Sequence, residues 1–364
     1  MTAKDAQQQV AVVGVGRMGR HHARIYHQNL PQAALVAVVD PDTERAGTIA
    51  DDYGCAAVGS VDELLARFPD LAAASVAVPT KYHMAAARPL LERRIACLIE
   101  KPLAPTVAEA KQIATLAAEH GAVLQVGHTE RFNPAVRAVA AMGITPRFVE
   151  IDRVSPMTFR SLDVSVVMDM MIHDLDIVLM LVRSPIRQVD AAGVAVLGEH
   201  EDVASARIVF QSGCLANITA SRLALKTERK MRLFSEDAYV SLDYQKRTGV
   251  VLRTSKNKQA LAEVRQQLAA GKDLSDMDYS DLVHVEELTM DLPEGDPASD
   301  PLTAELANFL ETARTGAAPS VDARAGYEAV DAAERVAVAM REHKWEGLEG
   351  SSLRIDAGNE GNDK

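Results

Sequence analysis

Short apolar runs alternate with helical patterns over the first 127 residues. Each run is nearly continuous, which is typical of strands covered on both faces. The alternation predicts a parallel sheet wrapped by helices. The predicted strands are Val10–Gly16, Ala34–Asp40, Ala72–Pro79, Cys97–Glu100 and Val123–Gly127, and the main predicted helices are Arg17–Leu30, Thr43–Gly54, Met84–Glu92 and Thr106–Glu119.

Beyond Pro146 the runs become longer, and apolar and polar residues alternate along them. This favours a mostly antiparallel sheet with helices on one face. The apolar segment Val166–Arg183 predicts a helix, and Gln211–Cys214 predicts a hairpin turn. The predicted strands are Arg147–Val154, Gln188–Leu197, Ala204–Gln211, Gly213–Leu223 and Ala238–Tyr244.

The last part of the chain contains a polar segment between two groups of regular elements. Residues Lys256–Pro301 predict an insertion with one helix at Gln259–Leu268. Helical patterns resume at Ala304–Arg314 and Ala323–Arg341. We expect these last helices to pack back on the first domain, and residues 350–364 to form a disordered tail.

The net charge of the chain argues against some classes of binding partner. With 364 residues, 48% of them hydrophobic and 25% charged, two ordinary domains are expected. The formal net charge of -12 argues against binding to nucleic acid or to an anionic membrane. An anionic ligand would therefore need a local group of cations.

The sequence indicates neither export of the protein nor a structural role for its cysteines in disulfides or metal sites. The first apolar run, Val10–Val15, is too short for a signal segment or a membrane span, so a cytoplasmic protein is expected. Cys55, Cys97 and Cys214 show no paired spacing, so we expect no disulfide framework and no thiolate metal site.

A glycine motif follows the first predicted strand and opens a helix. In Gly14-Val-Gly16-Arg-Met-Gly19 the first glycine allows a tight turn, the second the approach of a pyrophosphate, and the third close packing of helix on strand. Asp40, at the end of the next strand, is placed to accept hydrogen bonds from the adenosine ribose. Because Pro41-Asp42-Thr43 offers no cation for a 2′-phosphate, the motif predicts NAD rather than NADP.

Lys101 follows the strand that ends at Glu100 and precedes Pro102. Parallel sheets bind ligands at the carboxyl ends of their strands, and the proline restricts the backbone to an extended or cis geometry that aims the side chain. We therefore expect Lys101 to face the cleft. The residues expected to contact NAD are Gly14, Gly16, Arg17, Met18, Gly19, Asp40, Pro79, Thr80, His83, Glu100 and Lys101.

A second group lies within the apolar helix. Asp169 and His173 are one helical turn apart, so the carboxylate is expected to orient the imidazole. An oriented histidine could remove a hydroxyl proton while hydride leaves for nicotinamide. A zinc site is disfavoured because no cysteine or second histidine stands at ligand spacing.

The glycine loop, the Glu100-Lys101-Pro102 segment and the Asp169–His173 pair resemble the Gfo/Idh/MocA family, which includes glucose-fructose oxidoreductase and inositol dehydrogenase. The resemblance extends from about Val10 to Arg341. It implies a Rossmann domain (residues 1–127) joined to an α+β domain (residues 128–349) with an open, mostly antiparallel sheet that serves as a homodimer or homotetramer interface.

The same resemblance implies oxidation of a sugar or cyclitol hydroxyl by an NAD-dependent dehydrogenase. Lys101 and His173 would contact the reacting hydroxyl, with Asp169 as the partner of His173. We favour His173 as the proton acceptor and Lys101 as the group that polarises the oxygen. The methionine-rich Met168–Met171 segment departs from the small residues of many relatives.

Two basic segments lie between the domains, Gly127–Pro134 and Arg153–Arg160. Within the family they are similar to those of members that oxidise the 3-hydroxyl of UDP-N-acetylglucosamine in amino-sugar and lipid A synthesis. The resemblance thus implies a nucleotide-sugar substrate. Its expected contacts are Arg131, Asn133, Arg153 and Arg160. A free sugar or inositol dehydrogenase is the first alternative, and a non-catalytic NAD-binding regulator is the second.

Overall fold

A computed structural model describes residues 7–158, 164–254, 258–273, 282–290 and 299–345. It contains two sheets and confirms the predicted fold class. The first is a six-stranded parallel sheet, and the second is an eight-stranded, mostly antiparallel sheet. Arg160 and the tail at residues 350–364 lie outside the described residues.

The parallel sheet has the strand order β3-β2-β1-β4-β5-β6. Its strands are β1 Gln8–Val13, β2 Ala33–Val39, β3 Ala56–Val58, β4 Ala73–Val76, β5 Ala96–Glu100 and β6 Leu124–Gly127. Every residue of β4 and β5 is buried, as the continuous apolar runs predict. The prediction missed β3, which is three residues long and therefore too short for a periodic signal.

Helices connect these strands and cover both faces of the sheet. They are α1 Arg17–Gln28, α2 Thr43–Tyr53, α3 Val61–Arg67, α4 His83–Glu92 and α5 Val107–His120. Side chains of Asp42, Ser60 and Thr106 accept hydrogen bonds from the first turns of α2, α3 and α5. At the N-terminus of α1, by contrast, the N-cap residue is Gly16, which has no side chain to cap the helix. The backbone N–H groups of the first turn of α1 are therefore available to bind a ligand.

The second sheet has the order β14-β13-β12-β11-β7-β10-β9-β8, and only the β7–β10 pair is parallel. The predicted hairpin turn joins β9 to β10, with Gly213 at a φ of +83°. The strands are β7 Phe148–Val154, β8 Ile186–Val194, β9 Val203–Phe210, β10 Leu215–Ser221, β11 Glu228–Phe234, β12 Ala238–Asp243, β13 Thr248–Thr254 and β14 Val283–Thr289.

Three of these strands were not predicted. In β11, charged side chains lie between the buried Met231 and Leu233, and they mask the apolar alternation. The interpretation of Lys256–Pro301 as a mere insertion is wrong, because β14 lies within it and pairs with β13 at the sheet edge. The helix expected in that segment is present as α8, Lys258–Ala269.

The remaining helices join the two halves of the molecule. They are α6 Pro134–Ala141, α7 Ile172–Val182, α9 Pro301–Thr315 and α10 Ala323–Glu342. Leu306, Phe309 and Leu310 of α9 complete the apolar core beneath α1 and β1. The backbone N–H of Val126 donates to the carbonyl of Val321, just before α10. The C-terminal helices α9 and α10 therefore contact the first domain.

Among the described helices, none combines the length and the apolar character that a membrane crossing requires.

The glycine motif provides a stability test with an internal control. A Cβ on Gly19 would lie 1.8 Å from the carbonyl oxygen of Gly14, whereas a Cβ on Gly47, in α2, would meet no atom within 4 Å. We expect Gly19→Ala to destabilise the protein by about 3 kcal/mol or more, since α1 must move off the strand. Gly47→Ala should stabilise it by about 0.5–1 kcal/mol.

Thermal melting followed by circular dichroism measures both changes. A Gly19→Ala variant that melts at the temperature of the unmodified protein would contradict the close packing of α1 on the glycine loop.

Candidate active site

The glycine loop has the shape that a dinucleotide requires. Gly14 has a φ of +86°, and a Cβ there would collide with Val78 at 2.8 Å. A Cβ on Gly16 would meet nothing within 4 Å, so the space above this residue and the uncapped end of α1 is open. Backbone N–H groups and the helix dipole make such a site suitable for a pyrophosphate.

Asp40 is held at the end of β2 by the backbone of two neighbouring loops. Its Oδ2 accepts from the N–H of Val15 at 3.0 Å, and its Oδ1 accepts from the N–H of Asp42 at 3.0 Å. Arg45, at the start of α2, lies 3.4 Å from Asp40 and 2.7 Å from Asp42. The sequence argument stopped at Thr43 and missed this cation, whose charge the two carboxylates already neutralise.

The other residues expected at the cofactor occupy varied positions. Arg17 and Pro79 are exposed, and Met18 and Thr80 are half-buried at the loop ends. His83 is buried, with Nδ1 3.2 Å from the carbonyl of Leu103 and Nε2 3.0 Å from that of Val78. Its burial lowers its pKa. Since both nitrogens face backbone carbonyls, His83 joins the loops after β4 and β5 instead of reaching outward.

Glu100 is turned inward as well. Its carboxylate lies 3.0 Å from Nε2 of His22 in α1, and it accepts from the N–H of Lys101 at 3.2 Å. Burial alone would raise the pKa of Glu100, but the hydrogen bond and charge of His22, with Lys101 nearby, bring it below its usual value. A Cβ on Gly127 would lie 3.1 Å from this side chain. Glu100 therefore supports the end of β5 from within.

Lys101 extends from the end of β5 into the region between the sheets. Its Nζ donates to the main-chain carbonyl of Asp169 at 2.7 Å and lies 3.5 Å from Oδ1 of the same residue. The Lys101–Pro102 peptide bond is cis, one of the two geometries predicted. The side chain is 18% exposed, so the ammonium group is shielded but accessible.

The segment before α7 changes the expected pairing of Asp169 and His173. Residues Val167–Met171 form a π-helical turn, and α7 begins at Ile172. The wider turn disturbs the α-helical register that the sequence argument assumed. Within the described residues Asp169 contacts Lys101, and His173 has no hydrogen bond to it. The expected Asp169–His173 pair is thus replaced by a Lys101–Asp169 pair.

His173 is half-buried, and its Nδ1 is shielded from solvent without a partner among the described residues. Burial is the main cause that lowers the pKa of His173 well below its usual value. The charges of Lys101, Arg153 and Arg229 act in the same direction, as does His128. The imidazole is therefore neutral at neutral pH and able to accept a proton.

His128 is the second histidine of the site. Gly127 pairs with Glu100 in the parallel register, so His128 and Lys101 leave neighbouring strands at the same level. The His128 and His173 rings meet edge to face with centroids 6.4 Å apart. The sequence placed His128 in a basic segment but gave it no role, because only the strand register brings it beside Lys101.

Two arginines expected to bind substrate are held by buried carboxylates. Arg131 makes a bidentate pair with Asp176, at 2.7 and 2.6 Å. Arg153 makes another with Asp174, at 2.6 and 2.9 Å, and also donates to Glu130 at 3.0 Å. Their charges are engaged inside the protein, which corrects the argument that they are free cations for an anionic ligand.

Asn133 caps a helix. Its side-chain oxygen accepts from the N–H of Ala135 in the first turn of α6, and its amide group donates to Glu130 at 3.2 Å. Both hydrogen-bonding atoms of the side chain are thus occupied. Asn133 therefore shapes the loop and offers little to a ligand.

Arg229, at the start of β11, was missed. Its guanidinium lies 3.1 Å from Glu130, its side chain is 46% exposed, and its charge is among those that lower the pKa of His173. It shares the face of β11 that carries Met231 and Leu233. The basic cluster Lys226, Arg229 and Lys230 was a usable signal, but β11 had not been predicted.

Two family models match the chain. One, described as an oxidoreductase family with an NAD-binding Rossmann fold, matches residues 8–128. The other, the GFO/IDH/MocA C-terminal domain, matches residues 145–241. Together they cover the parallel sheet, most of the second sheet, and Lys101, His128, Asp169 and His173 of the site. NAD is therefore the cofactor that the N-terminal domain binds.

Known proteins agree with these matches. The chain is 39% identical over 238 residues to a UDP-N-acetylglucosamine 3-dehydrogenase of Acidithiobacillus ferrooxidans, covering 65% of this chain and 74% of that protein. A solved structure of the enzyme of that name and organism superposes with a TM-score of 0.78 at 32% identity, covering 92% of this chain and 98% of the other.

A second relative is the scyllo-inositol 2-dehydrogenase (NAD(+)) of Bacillus subtilis, which is 29% identical over 231 residues, 59% of this chain and 68% of the relative. Both relatives are named dehydrogenases. The chain therefore belongs to the GFO/IDH/MocA oxidoreductase family and is an NAD-dependent dehydrogenase that acts on CH–OH groups.

Proposed function

We propose that the protein oxidises a ring hydroxyl of a nucleotide-linked amino sugar, the 3-hydroxyl of UDP-N-acetylglucosamine. The observation that carries the proposal is the meeting of Lys101 and a neutral His173 beside the strand ends of the NAD domain. The substrate is supported by the likeness to an enzyme of that name.

In this proposal His173 accepts the hydroxyl proton, and Lys101 stabilises the negative charge that develops on the oxygen. Asp169 holds the ammonium group of Lys101 through its backbone carbonyl and its carboxylate. Bound NAD supplies the nicotinamide ring that takes up hydride. The half-buried position of His173 limits the access of water to this side chain.

The diphosphate of a nucleotide sugar needs a cation that the protein has not already neutralised. Arg131 and Arg153 are each held in a bidentate pair. Among the described residues Arg229 contacts Glu130, and its side chain is 46% exposed, so its guanidinium can donate to a ligand. We therefore assign the diphosphate to Arg229, together with Arg160 as the sequence predicts.

Inositol dehydrogenases among the relatives support a second candidate, oxidation of free inositol or a free sugar. Such a substrate has no phosphate and would make no use of Arg229. A homo-oligomer is part of the proposal for either substrate. The homo-oligomer is supported by a row of half-buried aromatic rings on one face of the second sheet, Phe148, Phe234 and Tyr239. Light scattering measures the mass of the assembly.

The role proposed for Asp40 concerns the choice between NAD and NADP. Its carboxylate, fixed by two backbone N–H groups, would accept the ribose hydroxyls and repel a 2′-phosphate. We expect Asp40→Ser to weaken NAD binding and to strengthen NADP binding, because Arg45 loses one of its two acidic partners. Adding Arg45→Ala should remove the gain for NADP.

Calorimetric titration of both cofactors measures these affinities. Equal binding of NAD and NADP to the unmodified protein would contradict the assignment of Asp40.

The roles of Lys101 and His173 predict a loss of turnover without a loss of cofactor binding. Lys101→Met and His173→Gln should each lower kcat by about 10²–10⁴-fold, since both act on the proton of the reacting hydroxyl. The affinity for NAD should change little. Lys111→Met, on the exposed face of α5, is the matched control and should be neutral.

The pH dependence follows from the lowered pKa of His173. A proton acceptor must be neutral, so kcat/KM should fall only as the pH drops through that pKa, below the usual histidine value of about 6.5. His173→Gln should remove this acid limb. A nearly normal kcat in Lys101→Met or in His173→Gln would exclude the substituted residue from proton transfer.

The substrate proposal is tested with a panel of UDP-sugars, free sugars and inositols. We expect NAD-dependent oxidation of UDP-N-acetylglucosamine. An aminotransferase with its amino donor removes the 3-keto product, and the resulting amino sugar nucleotide is detected by mass. Arg229→Met should raise KM for the nucleotide sugar by about tenfold or more and change kcat little, because the diphosphate is bound similarly in ground and transition states.

Arg232→Met is the matched control, since Arg232 lies on the opposite face of β11 and pairs with Glu150 at 2.9 Å. Oxidation of free inositol or glucose without reaction of any UDP-sugar would favour the second candidate.

A further inference from the structure

His128 is buried at the centre of the site with no hydrogen bond to explain it. Its side chain follows β6, and the residue is 1% exposed. Within the described residues neither ring nitrogen has a hydrogen-bond partner. Each unpaired buried polar group costs about 1–3 kcal/mol, so its presence calls for a functional reason.

The geometry relates His128 to the proposed base. The two rings are nearly perpendicular, at 89°, with centroids 6.4 Å apart, and Nδ1 of His173 is also buried and unpaired. Two hydrogen bonds of ordinary length through one water join atoms about 4.5–5 Å apart. Nδ1 of His173 and both ring nitrogens of His128 have no partner among the described residues, so the proposal below places one water between the two rings.

We propose that His128 is a relay and positioning residue that acts through His173. The hydroxyl O–H bond breaks as its proton binds Nε2 of His173, while the hydride of the carbinol carbon passes to NAD. His173 then shares its Nδ1 proton with His128 through a bridging water. Once the product has left, solvent takes up the proton that Nε2 of the half-buried His173 received from the hydroxyl, so both rings are neutral again and His173 keeps its Nδ1–H tautomer. This inference rests on the proposed role of His173.

The charges around the two rings suit a single shared proton. The groups that face His128 are Asp176 and His173 from α7, Arg131 from its own loop, and Lys101 and Glu100 from the end of β5. Those that face His173 are Lys101, Arg153, His128 and Arg229. Toward α9, the neighbouring Thr129 donates to Glu305 at 2.8 Å.

Burial lowers the pKa of both histidines, and the charge on either disfavours a proton on the other. The pair can therefore hold one proton but resists holding two. This is the condition for passing a proton onward without leaving both rings charged.

The coupling is measurable without any sugar. In the NAD complex of the full chain, labelled with ¹⁵N-histidine, we expect His128→Gln to raise the pKa of His173, because the repulsion between the two rings is lost. His200→Gln, an exposed loop residue, is the matched control. An unchanged titration of His173 in a folded His128→Gln variant would overturn the relay.

Turnover provides the second arm. His128→Ala should lower kcat by about tenfold to a hundredfold with little change in KM or in NAD affinity. Added imidazole should restore the rate more than the less basic 1,2,4-triazole, which has a similar shape. Equal rescue by both compounds would show that only space is filled and would overturn the relay, as would a normal kcat.

The two arms separate the hypotheses. If the unmodified protein oxidises no UDP-sugar, the proposed substrate fails, while the titration of His173 still decides the coupling. Calorimetry with NAD and thermal melting identify any variant that has failed to fold. If one of His128→Gln and His128→Ala fails to fold, the other is used for both measurements.

Discussion

Two bidentate ion pairs hold the site together. Asp174 and Asp176, two positions apart on α7, bind Arg153 of β7 and Arg131 of the loop after β6, respectively. Both carboxylates are buried, so removing one partner would leave a charge in the interior at a cost of about 3–5 kcal/mol. The pairs thus fix α7, and with it His173, against both the NAD domain and the second sheet.

The position of α7 determines the electrostatics of the reacting groups. Lys101 reaches the π-helical turn before α7, and its Nζ is held by the main-chain carbonyl of Asp169 at 2.7 Å. That carbonyl has no net charge, so this contact orients the ammonium group, while the carboxylate of Asp169, 3.5 Å away, balances part of its charge. Burial lowers the pKa of His173 most, and the cation and the surrounding arginines act in the same direction, so His173 is neutral, as the proposed proton acceptor must be. Structural ion pairs and catalytic groups are therefore parts of one arrangement.

The net charge of -12 explains why the sequence overestimated the basic patch. In an acidic protein most arginines near a cleft find carboxylates, and the planar guanidinium favours bidentate pairing. Arg131 and Asp176 are 45 positions apart in the sequence, so no local sequence pattern predicts their contact. Arg229 escapes full neutralisation because Glu130 already accepts from Arg153 and shares its carboxylate between two cations.

The sequence by itself determined the parallel sheet, the glycine loop and the placement of Asp40 and Lys101 at strand ends. These features depend on local periodicity and on backbone geometry near glycine and proline, which a short segment carries on its own. Only the tertiary structure decided that Asp169 contacts Lys101, that Arg131 and Arg153 pair with buried carboxylates, and that His128 lies beside His173. Those contacts join elements far apart in the chain, and their charges choose partners only after strand register and helix packing have set the distances.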